Sequence, residues 1–195
     1  ILDFGSGKSY LTFSTYYYLT NVLNMNVKII GIDLKKEVIE HCNNIAKKLN
    51  FTNLSFIYGD VIDYENKDEI DMVISLHACN TATDIAILKA LGWKAKVFFA
   101  VPCCQKEVNS QLNDEFLPFM LKHGIVKEKF STLLTDSVRS EVLEAFGYKS
   151  DIVEFISAEN TPKNQLIRAY KTTNNVDKDK LDRKSTRLNS SHLKL

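Results

Sequence analysis

Strand-like and helix-like segments alternate from the first residue of this chain, and that alternation restricts its fold more than any other feature. The short apolar runs ILDF (1–4), VKIIGID (27–33), LSFIYGD (54–60), DMVISLH (71–77) and AKVFFAV (95–101) have the length and β-branched content of buried strands. Between them, residues 8–23, 35–49 and 81–92 carry apolar side chains at helical spacing. In the second of these, Val38, Ile39, Cys42, Ile45, Ala46 and Leu49 share one face. Further helices are expected over 108–123 and 134–147. The strands DIVEFIS (151–157) and QLIRAYK (165–171) follow, joined by a turn at Thr161-Pro162. This order predicts an α/β, doubly wound, Rossmann-like fold. Its sheet of about seven strands is mostly parallel, with an antiparallel last strand and helices on both faces.

In sheets of this kind, ligands bind beyond the carboxyl ends of the strands, where the chain order reverses. The residues just past each strand therefore carry the functional expectation. They are Gly5-Ser6-Gly7, Asp33, Asp60, His77-Ala78-Cys79 and Pro102-Cys103-Cys104.

The first of these sits in DFGSGKSYLTF, whose GSGKS looks like the end of a nucleotide-triphosphate loop. That loop requires G-x-x-x-x-G-K-[ST], and the position of its first glycine is taken by Leu2, inside a strand. A dinucleotide fingerprint requires G-x-G-x-x-G. Gly5 and Gly7 fit, but Tyr10 stands where the third glycine lets helix and strand approach. Asp33 lies at the end of the second strand, about where a ribose-binding acid belongs, so a nicotinamide cofactor is the second choice.

The pattern D-x-G-x-G after strand one, an acid ending strand two and Gly-Asp ending strand three resembles class I S-adenosylmethionine (SAM) methyltransferases. The stretches GIDLK, YGDV, LHACNTATD, VPCCQKE and ENTPKNQLIRAYK resemble one subfamily, marked by H-A-C…A-T-D and a Cys-Cys pair. It is similar to the tRNA 2′-O-methyltransferases that act in the acceptor stem. The resemblance spans residues 1 to about 171 and implies SAM as cofactor and RNA, tRNA or rRNA, as partner. It also implies roles. Asp3 would lie near the SAM amino group, Gly5 and Gly7 along its methionine and ribose, and Asp33, with Leu34 beside it, at the ribose hydroxyls. Asp60 and the Val61 backbone would meet the adenine, and His77 would stand near the cofactor. Bland readings stand beside these: a strand-to-helix turn for Gly5 and Gly7, and a helix cap for Asp33.

The methyl acceptor is less legible. No [DN]-P-P-[FY] follows strand four, which reads Leu-His-Ala-Cys-Asn and argues against the usual amino-group methylation. A hydroxyl acceptor wants a base, and His77 has a suitable ordinary pKa of about 6.5. Its alternative is a hydrogen-bonded structural histidine. Cys79, Cys103 and Cys104 follow the two strands whose ends carry the cysteines of cytosine-C5 RNA methyltransferases, though their flanks match neither family signature. A zinc site from His77 and these thiols has no recognised spacing, and no metal is expected. Small buried cysteines packed beneath a cofactor are the plain alternative, above all for Cys42. Asp84, in A-T-D, opens a helix, where a carboxylate is favoured by unpaired amides. Lys163, Asn164, Arg168 and Lys171 could touch a phosphate backbone or simply solvate an edge hairpin. A non-catalytic, partner-recruiting module and an enzyme for a small molecule or protein remain alternatives.

Charge and ends bound the rest. The formal charge is +1, but residues 176–195 hold six Lys/Arg against three Asp, leaving the remainder at −2. Such a domain has no bulk electrostatic grip on nucleic acid, so RNA contact would need a local patch. Residues 1–171 are expected to form the methyltransferase domain. Residues 172–195 read as a disordered tail, with STRLNSSH resembling appended non-native sequence. The chain opens at Ile1 within a strand and without Met, as an N-terminally truncated domain would. The four cysteines form no C-x-x-C, which suits free thiols in a reducing cytoplasm, and no run is long enough for a membrane span.

Overall fold

The computed structural model describes residues 1–66, 68–76, 81–103, 105–112, 117–157, 159–161, 163–177 and 180. Seven strands, β1 (Leu2–Phe4), β2 (Ile29–Asp33), β3 (Leu54–Tyr58), β4 (Met72–Ser75), β5 (Val97–Ala100), β6 (Tyr148–Glu154) and β7 (Gln165–Lys171), form one sheet. Their order is β3-β2-β1-β4-β5-β7-β6. The pairs from β3 to β5 are parallel, and β7 runs antiparallel to both β5 and β6. The predicted architecture, antiparallel strand included, is the one observed.

The helices are α1 (Tyr10–Tyr17), α2 (Lys36–Lys48), α3 (Thr81–Gly92), α4 (Lys106–Gln111), α5 (Pro118–Leu121) and α6 (Gly124–Ala145). Alternating side chains of each strand feed two cores. Leu2, Phe4, Ile30, Ile32, Val73 and Phe98 pack with Ala86, Ile87 and Ala90 of α3 and Leu143 of α6. On the other face, Ile29, Leu54 and Phe56 pack with Tyr16 of α1 and Ile39, Cys42 and Ala46 of α2. Burying one such aliphatic or aromatic side chain stabilises by roughly 1.5–3 kcal/mol. Removing Phe4 or Phe98, both fully buried, would therefore open the first core at its centre.

Two helical expectations are corrected. The helix expected over 8–23 begins only at Tyr10, because Gly7 and Ser9 adopt left-handed backbone, and it passes into a π-helical turn over Tyr18–Val22. The helix expected over 108–123 is instead two short ones, while α6 begins ten residues before the expected 134. Pro118 explains part of this. It sits in the first turn of α5, where its missing N–H costs nothing, and so starts a helix rather than continuing one. Past β7, the chain turns back along the end of α6: Thr172 and Thr173 donate backbone bonds to the Gly147 carbonyl, and Asp177 to that of Ala145.

Candidate functional site

The strand order reverses between β1 and β4, so the loop after β1 lies at the crevice where a ligand is expected. Gly5, Gly7 and Ser9 have φ values of 69°, 52° and 60°, a left-handed residue at every second position. Glycine tolerates this geometry freely and serine does not. The amides of Gly5 and Ser6 both donate to the Ile32 carbonyl of β2, at 2.9 and 3.2 Å. The Ser9 amide donates to the Ser6 carbonyl at 2.8 Å, and the Ser9 carbonyl accepts the Phe13 amide, which opens α1. Backbone bonds tie the loop down at both ends, and the Ser9 hydroxyl adds one to the Gly7 carbonyl at 3.1 Å.

Asp33 closes it from the neighbouring strand. Its Oδ2 accepts the Gly7 amide and its Oδ1 the Lys35 amide, each at 2.9 Å. A carboxylate oxygen has two lone pairs, so one on each remains for a ligand hydroxyl. The helix-cap reading of Asp33 does not hold, because α2 is entered through Lys35 without a side-chain cap. Gly31 makes the close seating possible. A Cβ there would stand 2.5 Å from the Phe56 ring and 3.0 Å from Ser6 Oγ.

Asp3 lies deeper than a crevice residue. It points to the face opposite Leu2 and Phe4, is 3% exposed, and accepts a 2.5 Å bond from Thr12 Oγ1. Burial pushes its carboxyl up to about 6, against the Thr12 bond and with help from the Asp33 charge. Leu34 is exposed, and Asp60 is exposed just past β3 with its Oδ1 accepting the Ile62 amide at 3.0 Å. Val61 is buried in the first core. Gly5, Gly7, Asp33, Leu34 and Asp60 thus line one edge across β1, β2 and β3. Cys42 packs under the loop, its Sγ 3.6 Å from Ser9 Oγ.

Ser9 is the residue that sequence reading missed here. Its signal was the two-residue spacing of small residues, which continues from Gly5 and Gly7 to Ser9.

On the other side of the switch point, His77, Cys79 and Cys104 lie outside the described residues. Cys103 is half-buried just past β5. It lines a pocket of about 520 Å³ with Gln105, Lys106, Asn109 and Ser110, the last three from α4. Gly124, Glu128 and Ser131 of α6 and Lys163 complete the wall. Behind it runs a polar network that the sequence did not announce. Arg139, 4% exposed, donates to both carboxylate oxygens of Asp84, at 2.7 and 3.2 Å, and to Asp136 Oδ1 at 3.0 Å. Burial opposes the Arg139 charge, but Asp84 and Asp136 outweigh it and raise its pKa. Burial raises the Asp136 carboxyl, while Arg139 and, less, Gln105 resist. Asp84 is therefore structural by an ion pair that joins α3 to α6, in addition to its place at a helix start.

The edge hairpin has internal partners. Lys163 pairs with Glu128 at 3.0 Å, Arg168 with Asp151 at 3.6 Å, and Lys171 sits 4.7 Å over the Tyr148 ring. Asn164 Nδ2 donates to the Ile156 carbonyl at 2.9 Å. Among the described residues, no three His, Cys, Asp or Glu side chains converge as a metal cage. No described helix is long and apolar enough to cross a membrane.

The family model for "Methyltransferase domain" matches residues 1–111, which run from β1 through the crevice loops to the end of α4. The chain belongs to this family. It is a methyltransferase domain, and S-adenosylmethionine is its expected cofactor. No curated protein sequence matches the domain. Its fold recurs in an rRNA methylase from Streptococcus thermophilus, with a TM-score of 0.56, 12% identity, and coverage of 88% of this chain and 87% of that one. The citrinin polyketide synthase CMeT domain gives a TM-score of 0.54 at 13% identity, covering 89% of this chain and 46% of that one. The 23S rRNA methyltransferase ErmE gives 0.53 at 12%, covering 88% and 61%. The chain thus spans less than two thirds of the latter two, and the likenesses show the class I methyltransferase fold.

Proposed function

We propose that this methyltransferase domain transfers the methyl group of SAM to RNA, at a hydroxyl or a base. The observation that carries the donor half is the Asp33 carboxylate, held by the Gly7 and Lys35 amides at the switch point with a lone pair left on each oxygen. Asp33 would take the ribose hydroxyls through those lone pairs, in a charge-assisted bond. Gly5 and Gly7, without side chains, would let the ligand approach the backbone. Asp60, exposed beyond β3, would accept from the adenine amino group, beside Leu34 and the Val61 backbone. Asp3 would act from beneath the loop, favouring an ammonium group when ionised.

SAM when bound supplies a methyl group on a sulfonium, already activated for in-line displacement. The domain then has to align the acceptor, exclude water and accept a proton if the acceptor is a hydroxyl. His77 is the residue placed in sequence to accept that proton, and Cys79, Cys103 and Cys104 are the alternatives for attack on a base. Support for RNA comes from the resemblance of H-A-C…A-T-D to acceptor-stem tRNA methyltransferases, and from two RNA methylases among proteins of this fold. The near-neutral surface supplies no general attraction for RNA, so recognition would rest on local groups at the β5 side.

Calorimetric titration with S-adenosylhomocysteine, with ATP and NAD as controls, tests the donor half. The expected result is micromolar binding of the first alone. Transfer of tritium from labelled SAM into total tRNA or rRNA tests the acceptor. Labelling of small molecules or protein with none into RNA would overturn the RNA reading.

A further inference from the structure

Between Lys8 and Lys28 the chain runs for nineteen residues without a charge, although 25% of its residues are charged. This stretch forms the end of the glycine loop, α1 and the π-helical turn that follows it. Thr12 and Tyr16 turn one side of α1 into the core. Tyr10, Ser14, Tyr17, Tyr18 and Asn21 recur on the opposite side at helical spacing, and all five are exposed. Tyr10 is 74% exposed, and Tyr17, Tyr18, Val22, Leu23 and Met25 are each about half-exposed. The outer side of a solvated helix ordinarily carries charge. A side that is tyrosyl and apolar throughout has instead the composition of an interface core, which is depleted of charge and enriched in Tyr and Met.

Two properties of this face choose its occupant. The first is charge. RNA, a lipid headgroup or a charged peptide would find no counter-charge on it, so complementarity offers such partners nothing. A second copy of the chain meets it about a two-fold axis with no like charges opposed. The second property is area. A whole aromatic side chain presents about 150–250 Å² and an aliphatic one somewhat less, so the exposed parts of those six amount to roughly 700 Å². Two copies would bury roughly 1,400 Å², within the roughly 1,200–2,000 Å² of a specific, stable interface. We propose that the domain forms a symmetric dimer through α1 and its π-helical turn. Tyr17 and Tyr18, midway along the face, stand at the axis. Tyr10 of each copy is then directed toward Met25 of the other, where ring and thioether make a favourable contact. The dimer is independent of the acceptor reading above.

Sedimentation equilibrium of the full chain tests this. The expected weight-average mass rises toward twice the 22.2 kDa of one chain as concentration increases. Tyr17→Lys and Tyr17→Glu each oppose like charges across the axis and should weaken association by about a hundredfold. Tyr17 is exposed, so both variants should keep the far-ultraviolet circular dichroism of the parent. Mixing the two variants pairs opposite charges and should restore much of the association. Hydroxyl-radical footprinting of the unsubstituted chain needs no variant. Labelling of Tyr17 and Tyr18 should fall as concentration rises, whereas that of Tyr58, exposed at the end of β3, stays constant. A parent chain that remains monomeric at about 100 µM overturns the proposal, because specific interfaces of this size associate at micromolar concentration or below. A dimer equally tight in the folded Tyr17 variants, or one that leaves Tyr17 and Tyr18 fully labelled, overturns it as well.

Discussion

The guanidinium of Arg139 closes a two-point fork on the carboxylate of Asp84, a residue 55 positions earlier, with Nε at 2.7 Å and Nη2 at 3.2 Å. Asp84 lies in the first turn of α3, just after the segment carrying His77 and Cys79. Arg139 also holds Asp136, and Asp136 stands against Gln105, just after Cys103 and Cys104. One buried cation thus ties together the two crossovers that carry every acceptor-side candidate.

Arg139→Ala should lower stability by about 3–5 kcal/mol, because it strands the fully buried Asp136 without its counter-charge. Asp84→Ala should cost less, since Asp136 still compensates the arginine. Urea denaturation of both, and of the double variant, gives the coupling directly. Independent, additive losses would mean that the fork contributes nothing as a unit.

If Asp33 holds the ribose as proposed, the Asp33→Ala variant should lose about a hundredfold or more in affinity for S-adenosylhomocysteine, since it would remove that acceptor and free the Gly7 amide. Circular dichroism checks that it folds. Unchanged affinity in a folded variant would sink the ribose assignment.

Stability should depend on pH through Asp3. Its folded pKa of about 6 lies above the ordinary 3.8, so between those values the folded chain binds the proton more tightly than the unfolded chain. Its contribution is therefore most favourable below about pH 4 and is lost as pH rises toward 6. The loss is about 3 kcal/mol, an order of magnitude from two pKa units. Asp3→Asn should flatten this fall, retain the Thr12 bond through its carbonyl oxygen, and melt higher than the parent at pH 7.5. If Asp3 also meets the SAM ammonium, the same variant binds SAM more weakly. Melting curves from pH 4 to 7.5, paired with calorimetry, separate the two effects.

His77→Ala should leave S-adenosylhomocysteine affinity unchanged and reduce turnover on a hydroxyl acceptor by roughly 10²–10⁴-fold, the usual worth of a general base. Full activity in this variant would remove His77 from the role.

The sheet, its order of strands and helices, and the crevice edge made by Gly5, Gly7, Asp33 and Asp60 were legible in the sequence. Each is a local signal: a short β-branched run, a glycine at a turn, an acid ending a strand. The start of α6 and the break before Pro118 were not, because helical periodicity fades where a helix packs on one side only in part. The depth of Asp3 was hidden too, since a three-residue strand does not declare which face its middle residue joins.

What the sequence determined alone is therefore the α/β architecture and the strand-end edge where Gly5, Gly7, Asp33 and Asp60 lie, because backbone geometry and strand-end position follow from neighbours in the chain. Tertiary structure alone decided the Gly31–Phe56 seating of the loop and the Asp84–Arg139 fork behind the β5 pocket. Those contacts join residues 25 and 55 positions apart, and ordinary charged residues on two helices carry no mark of their partner until the sheet has brought the helices together.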